Sequence, residues 1–336
     1  MSSDRVTTDG LTGTAPGREA TTGVNVPPGG GGPRRRRQEE PQFRSYYGQP
    51  IINKPVWEST DIAGYLFLGG LAGASAVLSA AAQLTRRPAL ARVTKLGAAV
   101  AGHLSIVALV HDLGRRSRFV NMLRVFKVTS PMSVGSWLLA GFVPAASAAA
   151  LSEVTGAAPV LGGLATAGAA SLGAPVAAYT AALISDTAVP AWHDGHRYMP
   201  FVFVSSALSS ATGLGLLGAP VAENAPLRPL AAGAGLVELA TEKLMEKRMG
   251  VAGEAYHQGK AKTFMRAAEG LTVAGAALAA TAGRSRLRAA AGGAALLAGS
   301  ACTRFGIFHA GLISAEKPEY TVEPQRQRLD RRREQP

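Results

Sequence analysis

The sequence is poor in the residue types on which soluble catalytic domains depend. It contains a single cysteine, Cys302, and only 17% of its residues are charged and 6% aromatic. One cysteine excludes a disulfide within the chain, a cysteine-ligated Fe–S cluster and a thiolate zinc site. A Gly-rich phosphate loop, a CxxC or HExxH motif and a nucleophile elbow are also missing from the sequence. We therefore do not expect this chain to be catalytic alone.

Hydrophobic residues, in contrast, make up 47% of the chain and are concentrated in its middle. Residues 61–313 are dominated by Ala, Gly, Leu and Val, whereas 1–55 and 316–336 are polar, Arg-rich and Pro/Gly-rich. A soluble domain as long as this middle part would need far more surface charge. We predict an all-α integral membrane protein with a transmembrane domain at 56–315, between disordered basic tails at 1–55 and 316–336.

Hydropathy predicts about eight transmembrane helices packed as a bundle. They are expected at 61–83, 91–110, 133–151, 160–185, 200–219, 228–245, 264–282 and 287–313. The sixth has Glu238, Glu242 and Lys243 in its second half, so an interfacial amphipathic helix is the alternative there. An even number of spans puts both tails on one side, and the loops on that side carry more Lys and Arg than the others. Both termini are therefore predicted to be cytoplasmic, in the cell (inner or cytoplasmic) membrane.

The formal net charge of +13 does not indicate nucleic-acid binding. The Lys and Arg residues lie in the tails and between apolar runs, as they do beside membrane spans. The basic loop after the second span also has Phe119, Met122, Leu123 and Phe126 at helical spacing. This loop is predicted to form an interfacial helix that lies against membrane lipid.

The first span begins with a regular stripe of functional residue types. Trp57, Asp61 and Tyr65 are spaced i, i+4 and i+8, so they lie along one side of a helix. Gly69 and Gly73 continue this spacing and predict a surface of small residues for close helix contact. A carboxylate and a phenol on a packed membrane helix need a partner or a function.

Polar residues of several spans are predicted to meet at the inner surface. They are Asp61 and Tyr65 of the first span, His103, His111 and Asp112 of the second, Tyr179, Ser185 and Asp186 of the fourth, and Arg304 and His309 of the eighth. Such a site suits a ligand with a polar head and an apolar tail that exchanges protons with water. A quinone (menaquinone or ubiquinone) fits, because its carbonyls need donors and its two-electron reduction consumes two protons. We expect Asp61 and Asp112 to relay protons, and Tyr65, Tyr179, Ser185 and His103 to bind the quinone.

Structural interpretations of the same residues remain open. Asp112 and Asp186 can mark the points where helices leave the membrane, and Asp61 can be a first-turn acid. Tyr65 and Tyr179 can belong to an interfacial aromatic belt. His103 and His309 can be a haem-ligating pair on facing helices.

Several stretches resemble the polysulfide reductase membrane-subunit family (NrfD/PsrC-like) over residues 45–328. They are W-x-x-x-D-x-x-x-YLFLGGLAGA at Trp57–Ala74, DLGRRSRFVNML at Asp112–Leu123, TSPMSVGSWLL at Thr129–Leu139, YTAALISDTAVPAW at Tyr179–Trp192 and RFGIFHAGLISAEKPEYTVEPQRQR at Arg304–Arg328. The resemblance implies an eight-helix subunit without intrinsic haem or Fe–S that anchors an Fe–S electron-transfer subunit and a molybdopterin catalytic subunit. It also implies a quinone pocket that involves Asp61, Tyr65 and Tyr179. Family members with an extracytoplasmic catalytic partner would have this pocket facing outward, whereas the charges here place it inward.

The leading hypothesis is therefore a quinone-interacting membrane anchor subunit that exchanges electrons with an Fe–S partner. A small-solute or proton transporter that uses the same buried carboxylates is the alternative, although we find no convincing internal repeat. A pure anchor without a quinone site is the third hypothesis, and it leaves the clustered polar groups unexplained.

Overall fold

The structure, a computed structural model, describes residues 5–7, 10–12, 51–113, 115–116 and 118–334. Its larger unit, residues 50–336, is helical. The long helices are α1 (Ser59–Leu84), α2 (Pro88–Asp112), α4 (Pro131–Thr155), α5 (Pro159–Ser185), α7 (Met199–Gly218), α8 (Leu227–Arg248), α9 (Gly259–Ala280) and α10 (Arg286–Glu316). Shorter helices are α3 (Arg118–Asn121), α6 (Pro190–His193) and α11 (Glu319–Glu334), with 3₁₀ turns at Val221–Glu223 and Gly250–His257.

Six helices of this described part are long and apolar enough to cross a membrane: α1, α2, α4, α5, α7 and α10. The chain is therefore a multi-pass membrane protein, and six of the eight predicted spans are confirmed by length and composition. Helices α8 and α9 occupy the positions of the sixth and seventh predicted spans. They have the length, at 22 residues each, but they are not among the helices that are apolar enough to cross a membrane. The count of eight is not confirmed.

Helix α1 lies at the centre of the bundle, packed against α2, α5, α7 and α10. Its glycines permit this, as the small-residue spacing predicted. A Cβ atom at Gly73 would overlap with the carbonyl oxygen of Gly173 on α5, and one at Gly173 would overlap with that of Gly73. The backbones of α1 and α5 therefore touch directly at this crossing.

The ends of the helices follow from local sequence. Pro88, Pro131 and Pro159 open α2, α4 and α5, at a position where the missing N–H costs nothing. Ser130 caps α4 by accepting a hydrogen bond from the Ser133 N–H. Gly156 ends α4 with a φ of +70°, a left-handed conformation that favours glycine.

Trp192 on α6 ties the loop before α7 to the rest of the bundle. Its indole Nε1 donates to the Ile307 carbonyl at 2.8 Å, and its ring stacks on Trp57 with centroids 5.7 Å apart. The neighbouring Ala191 carbonyl accepts a 2.9 Å bond from the Tyr256 hydroxyl. Burial raises the pKa of Tyr256, so this hydroxyl remains protonated and continues to donate.

The two tails differ from the sequence prediction as far as the structure describes them. In the unit formed by residues 1–49, Arg5–Thr7 and Gly10–Thr12 form an antiparallel pair of strands, β1 and β2, in which Val6 pairs with Leu11. The remainder of the predicted disordered N-terminal tail lies outside the described residues. The C-terminal tail forms α11 instead of a disordered segment. Its Tyr320 is buried and accepts a 2.6 Å hydrogen bond from Gln258, which anchors the helix.

Replacing Gly73 with Ala should destabilise the bundle by roughly 1–3 kcal/mol, because the added methyl group forces the α1 and α5 backbones apart. The matched control is Gly64→Ala in the same helix, where an added Cβ has no neighbour within 4 Å among the described residues. Thermal unfolding in detergent should show a lower midpoint for Gly73→Ala only. Equal midpoints for the two variants would contradict the central role of this crossing.

Candidate functional site

A pocket lies at the end of the bundle where α5 ends and α7 begins. It has a volume of about 520 Å³. One wall is the α5 face formed by Tyr179, Ala182, Ser185 and Asp186, which share a face because they are spaced i, i+3, i+6 and i+7. Further lining is largely apolar and comes from the segment before α4, from α4 itself and from the start of α7, with Val128, Thr129, Pro131, Val134 and Pro200.

Two buried hydroxyl groups of this pocket have no hydrogen-bond partner within the described part of the chain. They are the Tyr179 hydroxyl and the Ser185 Oγ, on side chains that are 8% and 6% exposed. A buried polar group without a partner costs about 1–3 kcal/mol, so such groups are normally satisfied. A ligand with hydrogen-bond acceptors would satisfy both.

Gly135 on α4 fixes the position of the Tyr179 ring. A Cβ atom at this glycine would overlap with the Cδ2, Cε2 and Cζ atoms of the ring. The ring therefore packs directly against the α4 backbone at this glycine.

Two histidines at the mouth of the pocket were not singled out from the sequence. His193 and His196 both line it and are exposed to solvent. The Nδ1 of His193 lies 3.2 Å from the Ser185 carbonyl oxygen, and that of His196 lies 2.9 Å from the His193 carbonyl oxygen. The HDGH motif in the loop before α7 is the sequence feature from which these two histidines could have been predicted. These side chains can exchange protons with water beside the two buried hydroxyls.

Asp61 and Asp112 meet at the adjoining end of α1 and α2, and neither lines this pocket. The Asp61 Oδ2 lies 2.6 Å from His111 Nδ1, and the Asp61 side chain is 17% exposed. The Asp112 Oδ1 accepts a 3.2 Å hydrogen bond from the Glu58 N–H at the start of α1. Asp112 therefore also acts as a cap for α1, a role that the sequence analysis did not predict.

The structure places Tyr65 and His103 apart from the pocket. Tyr65 is buried in the core of the bundle, and its carbonyl oxygen accepts a 3.4 Å bond from Ser105. His103 is exposed on α2, and its Nδ1 lies 2.8 Å from the Ala99 carbonyl oxygen of the same helix. His309, the other histidine of the haem alternative, stacks on Phe264 at 5.5 Å. Of the six predicted site residues, Tyr179 and Ser185 are the two that line the pocket.

Comparison with known proteins adds one match. The model of a family described as "Polysulphide reductase, NrfD" matches residues 50–224, which is more than half of the 336 residues. No curated protein matches the chain. The matched region contains every residue of the pocket and ends before α8 begins.

Proposed function

This chain belongs to the NrfD polysulphide reductase family, and from that membership we propose that it is the quinone-interacting membrane anchor subunit of a multi-subunit oxidoreductase. In this role it passes electrons between the quinone pool and an Fe–S partner subunit. The family match and the six membrane-spanning helices support this proposal. We further propose the cytoplasmic membrane as its location, with both termini on the cytoplasmic side.

The observation that carries the proposal is the pair of buried hydroxyls on α5. Tyr179 and Ser185 line a pocket whose other lining is mostly apolar, and their buried hydroxyls have no protein partner among the described residues. A quinone head needs donors at its carbonyl oxygens and an apolar surface for its ring and tail. The residues present therefore fit a quinone as bound substrate, whether it is menaquinone or ubiquinone. Tyr179 and Ser185 would orient the head by donating to it.

Proton exchange is the second requirement of quinone chemistry. His193 and His196 lie at the mouth of the pocket, where both are exposed to water. The Asp61–His111 pair lies at the neighbouring helix ends and is partly exposed. We assign Asp61, with Asp112 beside it, to a proton relay at this end of the bundle, separate from the residues that hold the quinone.

Electron transfer to and from the quinone requires a partner subunit, because the chain has one cysteine and therefore no cysteine-ligated cluster of its own. The expected partners are an Fe–S electron-transfer subunit and, beyond it, a molybdopterin catalytic subunit. The segment between α2 and α4 is suited to docking. It exposes the basic side chains of Arg115, Arg116 and Arg124 together with the apolar Val125 and Phe126.

Tyr179→Phe and Ser185→Ala should each weaken quinone binding about threefold to tenfold, because each removes one donor worth roughly 0.5–1.5 kcal/mol. Calorimetric titration of the detergent-solubilised chain with a short-chain naphthoquinone and a short-chain benzoquinone measures the affinities. The matched controls are Tyr198→Phe and Ser147→Ala, which lie outside the pocket. Unchanged affinity in both pocket variants would refute the assignment.

Asp61→Asn should slow quinone-coupled turnover of the assembled complex by about a hundredfold, the lower range for loss of a positioned proton-transfer group. Quinone affinity should stay unchanged, because Asp61 does not line the pocket. Turnover is followed as quinol formation or consumption by the complex in membranes. Wild-type turnover in an assembled Asp61→Asn complex would remove Asp61 from the relay.

The double substitution Arg115→Glu/Arg116→Glu should abolish co-purification of an Fe–S subunit with the chain, since charge reversal opposes the electrostatic match. Arg92→Glu/Arg284→Glu provides the control, because both arginines are exposed and lie elsewhere, Arg92 near the start of α2 and Arg284 in the turn between α9 and α10. Retention of the Fe–S subunit by the first variant would place the docking surface elsewhere. Its loss from both variants would indicate a general effect of charge instead.

A further inference from the structure

Three charged side chains are buried in the half of the bundle that follows the pocket. Glu238 and Arg304 are 0% exposed and Glu242 is 1% exposed. All three lie beyond residues 50–224, the region that the family model matches. Burying an ion in an apolar interior costs several kcal/mol unless partners compensate for the lost water. Their surroundings therefore show what each group does.

Helix α8 buries two carboxylates on its inner face, together with small and apolar residues. Glu238 and Glu242 belong to the buried stripe of Leu227, Ala231, Ala234, Gly235, Glu238, Glu242 and Met245. Between residues 229 and 241 the exposed side chains, which include Leu236 and Val237, are uncharged. Such a helix can face lipid, although its composition alone does not qualify it as a span. Glu238 is at its middle, about 15 Å from either end at 1.5 Å per residue.

Glu238 is held by two hydrogen bonds and lies near the guanidinium of Arg304. Its Oε2 accepts a 3.1 Å bond from Ser209, and its Oε1 accepts a 2.9 Å bond from Thr303. The neighbouring Arg304 attracts it, donates from Nη2 to the Phe203 carbonyl at 2.8 Å and lies 3.9 Å above the Phe203 ring. The Nε and Nη1 of this guanidinium have no partner within the described residues.

Glu242 lies one turn along the same face and has no hydrogen bonds comparable to those of Glu238 within the described residues. Neither of its carboxyl oxygens has a hydrogen-bond partner in the part of the chain that the structure describes. An ionised carboxylate here would lack compensation, whereas a neutral carboxyl group is tolerated at lower cost. Glu242 is therefore a group that gains from binding a proton.

Glu246 connects this interior to water after one more turn. Its carboxylate lies 3.5 Å from His257 Nε2 and 4.0 Å from Lys243 Nζ, and Lys243 also pairs with Glu269 at 3.3 Å. The His257 and Lys243 side chains are 63% and 50% exposed. Glu238, Glu242 and Glu246 follow one another at intervals of four residues, so they lie on one face of α8. They form a row that leads from Glu246 at the surface to Glu238 in the middle of the bundle.

We propose that this row is a path for protons between the aqueous phase at the end of α8 and the middle of the bundle, with Glu242 as its proton-binding site. A proton binds first to the Glu246 carboxylate. It then moves to the Glu242 carboxylate, which becomes a neutral carboxyl group. From there it reaches Glu238 or returns the same way, so no electron or other reactant is needed. Carboxyl groups one turn apart are about 6 Å apart along the axis, a separation that a bridging water spans. The path does not depend on the quinone pocket.

Infrared spectroscopy of the full chain in phospholipid nanodiscs tests this proposal directly. A protonated-carboxyl band should be present that Glu242→Gln removes and that shifts when D₂O replaces H₂O. Glu246→Gln should slow this deuterium exchange by about a hundredfold, the lower range for a positioned proton-transfer group. The control Glu254→Gln, at an exposed carboxylate outside the row, should leave both the band and its exchange rate unchanged.

Several results would overturn the path. They are a spectrum that Glu242→Gln does not alter, an exchange rate that Glu246→Gln does not change, and a band that vanishes when sodium chloride replaces choline chloride. The last would show that the carboxylates hold a sodium ion.

A second measurement needs no variant and remains decisive if Glu242→Gln fails to fold. Dicyclohexylcarbodiimide, an apolar reagent for protonated carboxyl groups, should modify Glu242 of the wild-type chain and leave Glu269 unmodified. Peptide mass spectrometry locates the adduct. Modification of Glu269 without Glu242 would contradict a protonated, buried Glu242.

Discussion

Direct contact between the backbones of α1 and α5 is the constraint on which the rest of the bundle depends. In lipid, helices gain little from the hydrophobic effect by associating, so close packing has to supply the attraction. Gly73 and Gly173 let the two backbones touch. Gly70 allows close packing against the side chain of Ala207 on α7, since an added Cβ would be 3.2 Å from the Ala207 Cβ. With α1 at the centre, the ends of α2 and α5 are brought near its N-terminus, where the pocket and the Asp61–His111 pair lie.

The bundle keeps its two groups of polar side chains in different environments. The pocket beside Tyr179 lies at one end of the bundle, and its two hydroxyls are neutral donors. The carboxylates of α8 begin at the surface and continue to the middle of the bundle, where Arg304 compensates the last of them. A neutral hydroxyl is cheaper to bury than a charge, so the first arrangement suits ligand recognition and the second suits charge movement.

The sequence predicted the helices well because apolar runs and prolines define them locally. Pro88, Pro131 and Pro159 each open a helix within a few residues of the expected start. Tyr179 and Ser185 were found because polar residues near the end of an apolar helix are conspicuous. Glu238 was interpreted only as a charged residue in the sixth predicted span. Mean hydropathy adds up the residues of a segment and does not show which helix face each of them occupies. The exposed position of His103 depends on the rotation of α2 against its neighbours. The position of His193 and His196 at the pocket depends on the fold of the loop before α7. Neither could be predicted from the local sequence.

The compensation between Glu238 and Arg304 has a consequence for how the protein is made. On insertion scales a charged residue at the centre of a membrane helix costs about 2.5–3.5 kcal/mol, so α8 and α10 are each poor substrates for insertion on their own. The Glu238 carboxylate of α8 is compensated only after α7 and α10 have supplied Ser209, Thr303 and Arg304. The C-terminal half should therefore enter the bilayer as an assembled group of helices and not one helix at a time. Synthesis of α10, near the end of the chain, then becomes the step that commits α8 to the membrane.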